Sequence, residues 1–221
     1  SGTPLQNLVD YSIAQGLSGL QKLTGIPGTV GGAVFGNAGA YGQTISDCLR
    51  EAVCFDGENI ISLQQDECEF EYRDSAFKRN GLIILEIVFK LEVGKSKDLR
   101  QEADEVLEKR LIKYPPGIKC PGSFFKNLIA DKLPKDILKR IPKEKIVYGK
   151  VPAGSLLEMA GAKGDCLGDI KIASYHANLF INKDNGKAAD FYALAQKYAQ
   201  KVKDKFGITL EPEVQLIGKF L

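Results

Sequence analysis

Five side chains stand in settings that could support chemistry: Arg73, Ser123, Glu211, Glu213 and His176. Arg73 follows Tyr72 in Phe70-Glu-Tyr-Arg-Asp-Ser75, a polar break between apolar stretches. A guanidinium there can grip a carboxylate or phosphate with two parallel N–H donors, or simply form a surface ion pair. Ser123 follows Gly122 in Cys120-Pro-Gly-Ser-Phe-Phe-Lys-Asn127. It reads as a hydroxyl on a tight turn ahead of two aromatics, and most such serines are structural. Leu210-Glu-Pro-Glu-Val214 sets Glu211 and Glu213 two residues apart, hence on one face of a strand. His176 is the single histidine, so a Ser-His-Asp triad would have to be built on it. No cysteine or serine motif accompanies it, and it reads as structural.

Glycine dominates Gly25-Ile-Pro-Gly-Thr-Val-Gly-Gly-Ala-Val-Phe-Gly-Asn-Ala-Gly-Ala-Tyr-Gly42, a stretch with no charged residue. Without a Cβ, backbone can turn through positive φ and come close to a ligand. The stretch reads either as backbone laid against a large flat or phosphorylated ligand, or as a turn cluster in a β protein. It lacks the G-x-G-x-x-G of a dinucleotide fold and the lysine of a P-loop.

Composition narrows the field. A net charge of +2 from 30 basic and 28 acidic residues argues for neither nucleic acid nor membrane as partner. No apolar run approaches the roughly 18 residues of a membrane-spanning helix. Cys48, Cys54, Cys68, Cys120 and Cys166 are odd in number and contain no C-x-x-C pair. They read as free thiols in a reducing cytoplasm rather than as a metal site.

The elements that must position these residues follow from periodicity. Leu5, Leu8, Val9 and Ile13 predict a helix over 5–14, with Pro4 at its start. Leu49–Phe55 and Asn59–Leu63 predict a hairpin about Asp56-Gly57. Leu82–Phe89 predicts a largely buried strand. Leu99, Ala103, Val106, Leu107 and Leu111 predict one face of a helix over 97–112, stopped by Pro115-Pro-Gly117. The Lys-rich segment 131–150 predicts a helix plus an exposed loop. Residues 151–164 predict a short helix ending near Gly161, and 174–182 a strand. A long amphipathic helix over 188–206 ends at Gly207, ahead of a terminal strand.

The glycine stretch resembles, nearly letter for letter, the GIPGTVGGA…NAGAYG run of the UDP-N-acetylenolpyruvoylglucosamine reductases. Tyr72-Arg-Asp-Ser75 is similar to that family's YR-x-S, and Gly122–Asn127 to its GS-x-FKN. Ala160–Gly164, Ser174–Asn182 and Leu210–Val214 resemble further family blocks in the same order. The chain departs from the family at Leu128, where many members carry proline, and through the segment that follows.

The resemblance implies an α+β fold: the second half of a two-part FAD-binding module over 1–114, a smaller substrate domain over 115–208, and a terminal strand over 209–221 returning toward the flavin. It implies a chain lacking the N-terminal part of the FAD-binding module, which family members carry upstream. The implied cofactor is FAD, with NADPH as co-substrate. The implied substrate is UDP-N-acetylglucosamine enolpyruvate, reduced to UDP-N-acetylmuramate in the cytoplasm for peptidoglycan synthesis. Gly25, Ile26, Pro27, Gly28, Thr29, Val30, Gly31 and Gly32 would lie on the flavin, and Tyr41, Tyr72 and Asn127 would contact substrate. Ser123 would donate a proton, and Arg73 and Glu213 would stabilise the developing negative charge. Two alternatives stand beside this reading. One is a truncated, non-catalytic UDP-sugar-binding module unable to hold FAD. The other is a flavin oxidase of the same broad superfamily, which would need a covalent attachment residue.

Overall fold

A computed structural model describes residues 1–218, and its contacts divide the chain into Ser1–Lys113 and a second unit beginning at Tyr114. Helices and antiparallel strands are mixed in both, an α+β arrangement.

The first unit opens with the helix Leu5–Ala14. Leu5, Val9 and Ile13 recur one turn apart, and all three are buried. Ser12 shares that face because its hydroxyl donates to the Val9 carbonyl at 2.8 Å, so no polar atom is stranded. The central strand Leu49–Phe55 pairs antiparallel with Ile60–Gln64 on one side and Ile83–Phe89 on the other. The hairpin turns at Asp56-Gly57: Gly57 lies at φ +110°, and an Asp56 carboxylate oxygen accepts the amides of Glu58 and Asn59 at 2.8 and 2.7 Å. Alternate residues Ala52 and Cys54 enter a core shared with Leu20, Leu23, Val34, Ile45 and Phe77.

Two expectations need correction here. Ile83–Phe89 is an edge strand in which only Ile84 is buried, while Ile83, Leu85 and Val88 are exposed. A continuous apolar run does not say how many of its faces are covered. The helix Ser96–Lys113 buries Leu99, Ala103 and Val106, but its last turn leaves Leu111 exposed.

In the second unit, Phe124, Phe125, Phe180 and Phe191 form the centre of the core. Phe124 meets the other three at ring-centroid distances of 4.8, 5.2 and 5.4 Å. The rings adopt the tilted and edge-on arrangements that aromatic quadrupoles favour. The helices Ala153–Met159 and Ala188–Phe206 contribute Leu156, Leu157, Leu194, Tyr198 and Val202 to the same core. Gly207 ends the long helix at φ +75°, in the left-handed conformation common after a last helical turn. The strand expected over 174–182 is confined to Phe180–Asn182, which pairs with Ile170–Ile172.

Residues 131–150 hold the one-turn helix Lys135–Leu138 and a mostly exposed remainder, as expected, with the tighter turns Ala130–Lys132 and Lys143–Lys145 on either side of the helix. Ile141 is buried among them, and Leu133, Ile137, Leu138 and Ile146 pack against the aromatic core. The lysines hid that apolar spacing.

Asp165 ties the turn at Gly161–Gly164 to the long helix. It accepts from Lys197 Nζ at 2.6 Å, from the Tyr198 hydroxyl at 2.7 Å and from the Cys166 amide at 2.9 Å. These bonds, that of Lys197 foremost, hold its carboxyl down to about 2. Burial, reinforced by the Asp165 charge, pushes the Tyr198 phenol up to about 12. A depressed carboxyl stabilises the fold above its ordinary value of 3.8, and that stabilisation is lost as pH falls toward 2. Urea midpoints of the wild type should therefore exceed those of Asp165→Asn at neutral pH. The gap should close as the pH is lowered through this window, and a gap independent of pH would contradict the ion-paired role.

Candidate active site

The glycine stretch is not a simple turn cluster: its middle is the helix Val30–Phe35. Thr29 starts it, its side-chain oxygen accepting the Gly32 amide at 3.2 Å. The amides of Val30 and Gly31 donate to the Thr3 and Ser1 carbonyls at 2.9 and 2.8 Å, and the Leu5 amide donates to the Gly28 carbonyl at 3.0 Å. A Cβ on Gly31 would stand 2.7 Å from that of Ser1, so the close approach requires glycine. The amides of Val30, Gly31 and Gly32 are thus already engaged within the chain. The part open to a ligand is the exposed ridge Pro27-Gly28-Thr29. Gly28 lies at φ +112° with open space where a Cβ would be, and the Gly28 and Thr29 amides have no partner among the described residues. Gly25 is also exposed, its amide held by the Gln6 side chain at 2.7 Å, and half-buried Ile26 donates to Leu23.

The end of the stretch is a tight hairpin. Gly39 and Ala40 pair with Thr44 and Gln43, and Tyr41-Gly42 turns between them at φ +51° and +83°. Two successive positive φ values suit the twist of paired strands. Tyr41 is thereby presented to solvent.

Arg73 is clasped to this hairpin. Its Nη2 donates to the Gly39 carbonyl at 2.6 Å and its Nη1 to the Asn37 carbonyl at 3.4 Å. Its guanidinium carbon lies 5.2 Å from the centre of the Tyr72 ring. Asn37 returns the clasp, its side-chain amide donating to the Glu71 carbonyl at 2.8 Å. Asn37 and Arg73 both sit at positive φ, +44° and +56°, so each turn depends on a backbone conformation that L residues seldom adopt. The guanidinium is thus tied to backbone at two of its nitrogens. Asn37 Oδ1 is buried without a hydrogen-bond partner in the described structure.

In the second unit, Gly122 at φ +88° turns the chain into Ser123. Ser123 bridges Leu179, the Phe124 amide donates to the Asn178 carbonyl at 3.0 Å, and Asn182 donates to Lys119 at 2.9 Å. On the other side, the Glu213 amide donates to the Phe124 carbonyl at 2.7 Å, Phe125 bridges Pro212, and the Lys126 amide donates to the Glu211 carbonyl at 2.9 Å. Within the described residues the expected terminal strand is only this short bridge; the Phe124 amide, which could extend it, donates to the Asn178 carbonyl instead. Glu211 is exposed and pairs with Lys126, while Glu213 is half-buried. Asn127 Oδ1 accepts the Ala153 amide at 3.1 Å, one of the otherwise unpaired amides at a helix start. Leu128, the point of departure from the family pattern, pairs with Val151. His176 Nδ1 accepts the Asn178 amide at 3.3 Å.

The structure thus groups Ser123, Asn127 and Glu213 in one unit, and Gly25–Gly32, Tyr41, Tyr72 and Arg73 in the other. Sequence reasoning passed over Asn37 and Asn178. Both are buried asparagines whose amides bond to backbone far along the chain, and periodicity carries no sign of such bonds. No group of three or more His, Cys, Asp or Glu among the described residues could hold a metal ion, and no helix among them is long and apolar enough to cross a membrane.

Comparison with known proteins gives a consistent picture. The family model for the C-terminal domain of UDP-N-acetylenolpyruvoylglucosamine reductase matches residues 114–217. The chain is 42% identical over 219 residues to a protein of that name from Solibacter usitatus, covering 99% of this chain and 70% of the relative. It is 33% identical over 220 residues to one from Staphylococcus aureus strain COL, covering 99% and 65%. The Staphylococcus carnosus protein is 36% identical over 211 residues, covering 95% and 60%. This chain therefore spans 60 to 70% of the length of these relatives. The crystal structure of UDP-N-acetylenolpyruvylglucosamine reductase from Thermus caldophilus superposes with a TM-score of 0.77 at 30% identity, covering 97% of this chain and 70% of that one.

Proposed function

The chain belongs to the UDP-N-acetylenolpyruvoylglucosamine reductase family, and from that membership we propose that it carries out the NADPH-dependent, FAD-mediated reduction of UDP-N-acetylglucosamine enolpyruvate to UDP-N-acetylmuramate. Its place is then the cytoplasm, in peptidoglycan synthesis. What carries the reading is the Glu213 amide bonded to the Phe124 carbonyl at 2.7 Å, which seats one charged residue on the backbone adjoining Ser123.

The residues fit the demands of that chemistry. The ridge Pro27-Gly28-Thr29 offers open space and two unengaged amides, a surface suited to FAD. Bound FAD supplies a hydride acceptor and donor between NADPH and the substrate. Once hydride has reached one vinyl carbon, the other carries negative charge conjugated to the substrate carboxylate. Ser123 hands its hydroxyl proton to that carbon; a hydroxyl is a poor acid in water but serves a strongly basic carbanion. Arg73 and Glu213 stabilise the charge that develops. Arg73 comes to this task with its guanidinium already aligned by the Gly39 and Asn37 carbonyls. Asn127 has its side-chain oxygen held by Ala153, so it meets a ligand as an amide donor. Tyr41 and Tyr72 contact the substrate.

The test is the visible spectrum of the protein titrated with FAD. A flavin band should appear, bleach on adding NADPH and return on adding the enolpyruvyl sugar nucleotide. Binding of UDP-sugar with no flavin band would favour a non-catalytic binding module.

A further inference from the structure

We propose that Asn178 is the positioning residue of the second unit's part of the site, holding Ser123 and Glu213 in register through the strand between them. Asn178 is 1% exposed, and its side chain makes two bonds to one residue. Oδ1 accepts the Phe125 amide at 2.9 Å, and Nδ2 donates to the Phe125 carbonyl at 2.8 Å. This is the paired donor and acceptor pattern that a neighbouring strand would present, supplied by a side chain. The Asn178 backbone adds a third bond, its carbonyl accepting the Phe124 amide at 3.0 Å.

These bonds matter because of what the strand holds on its two sides. Phe124 and Phe125 follow Ser123 directly, so fixing them fixes where the Ser123 backbone enters. The Phe124 carbonyl accepts the Glu213 amide, and Phe125 bridges Pro212. The segment carrying Glu213 is thus hung on the same two residues that Asn178 grips. Phe125 is a core side chain whose packing against Phe124 and Phe180 places the ring, while the bonds from Asn178 fix the backbone. A shift of that backbone would break both bonds and strand buried polar atoms. Asn178 touches no reacting atom in this account; it acts through Phe125.

The catalytic part of the inference rests on the proposed reductase activity, while the structural part does not, and the experiment separates them. Amide hydrogen exchange of Asn178→Ala should show lost protection at Phe125 and Glu213. The amides of Val202 and Leu156, elsewhere in the same core, should keep theirs. Val202→Ala serves as a control that removes buried methyl groups without touching the bracket. With FAD bound, Asn178→Ala should reduce flavin with NADPH at the wild-type rate. It should oxidise reduced flavin with the enolpyruvyl sugar nucleotide about 10²-fold more slowly, the order expected for a misplacement near 1 Å. Asn178→Leu keeps the side-chain volume and removes both bonds to Phe125. It is the second variant should the alanine form not fold, and it should show the same split. Unchanged exchange at Phe125 and Glu213 would overturn the bracket, as would uniform loss across the unit. Lost protection there with a wild-type second half-reaction would overturn the positioning role. Absence of flavin turnover in the wild type would sink the reductase reading, and exchange alone would then decide the bracket.

Discussion

Ser123→Ala is expected to stop steady-state turnover while leaving reduction of the bound flavin by NADPH at its wild-type rate. The hydroxyl is required only when the substrate carbon takes up a proton. A positioned general acid contributes typically about 10²–10⁴-fold, and the loss should fall wholly on the second half-reaction. The backbone contacts around Ser123 should survive the substitution. Ser123 is held by its backbone bridge to Leu179, and the next residue by the Asn178 carbonyl, so neither contact depends on the hydroxyl. Stopped-flow absorbance separates the two halves. A variant that oxidises reduced flavin with substrate at the normal rate would show that Ser123 is not the donor.

Arg73→Lys should cost nearly as much as Arg73→Ala. Lysine keeps the charge, but a single ammonium cannot reproduce a planar fork of donors. Arg73 needs that fork twice over. Two of its nitrogens tie the hairpin through the Gly39 and Asn37 carbonyls, and the proposed role asks the same group to meet developing negative charge. Loss of one such preorganised donor costs about 10²–10³-fold in rate, and both variants should show at least that in the substrate half-reaction. The lysine variant should also loosen Gly39–Thr44, read as faster amide exchange at Gln43 and at Ile45, whose amide donates to the Ala38 carbonyl at 2.9 Å. Wild-type kinetics in Arg73→Lys would mean that charge alone suffices, and that the clasp is incidental to activity.

Much of the fold was legible where a pattern is local. The helices over 5–14 and 188–206 appear with the expected bounds, because their apolar residues recur every third or fourth position and Pro4 and Gly207 mark their ends. The hairpin at Asp56-Gly57 was legible for the same reason, since turn chemistry lies within four residues. The helix inside the glycine stretch was not. Val30–Phe35 carries two glycines, poor helix formers by intrinsic preference, and is stabilised by its Thr29 cap and by the N-terminal residues packed beside it. The exposure of Ile83, Leu85 and Val88 was hidden too, because composition cannot tell an edge strand from a central one.

The residue types at Arg73, Ser123 and Glu213, and the order of the motifs around them, were determined by the sequence by itself, and with them the family. Tertiary structure alone decided what those residues touch. That Arg73 is clasped by the carbonyls of Asn37 and Gly39, that Glu213 hangs on the Phe124 carbonyl, and that Asn178 grips Phe125 all depend on contacts between segments far apart in the chain. The reason is physical. Helical and strand periodicity reports which face of an element is apolar, whereas a hydrogen bond from a buried amide to a distant backbone depends on where two elements come to rest.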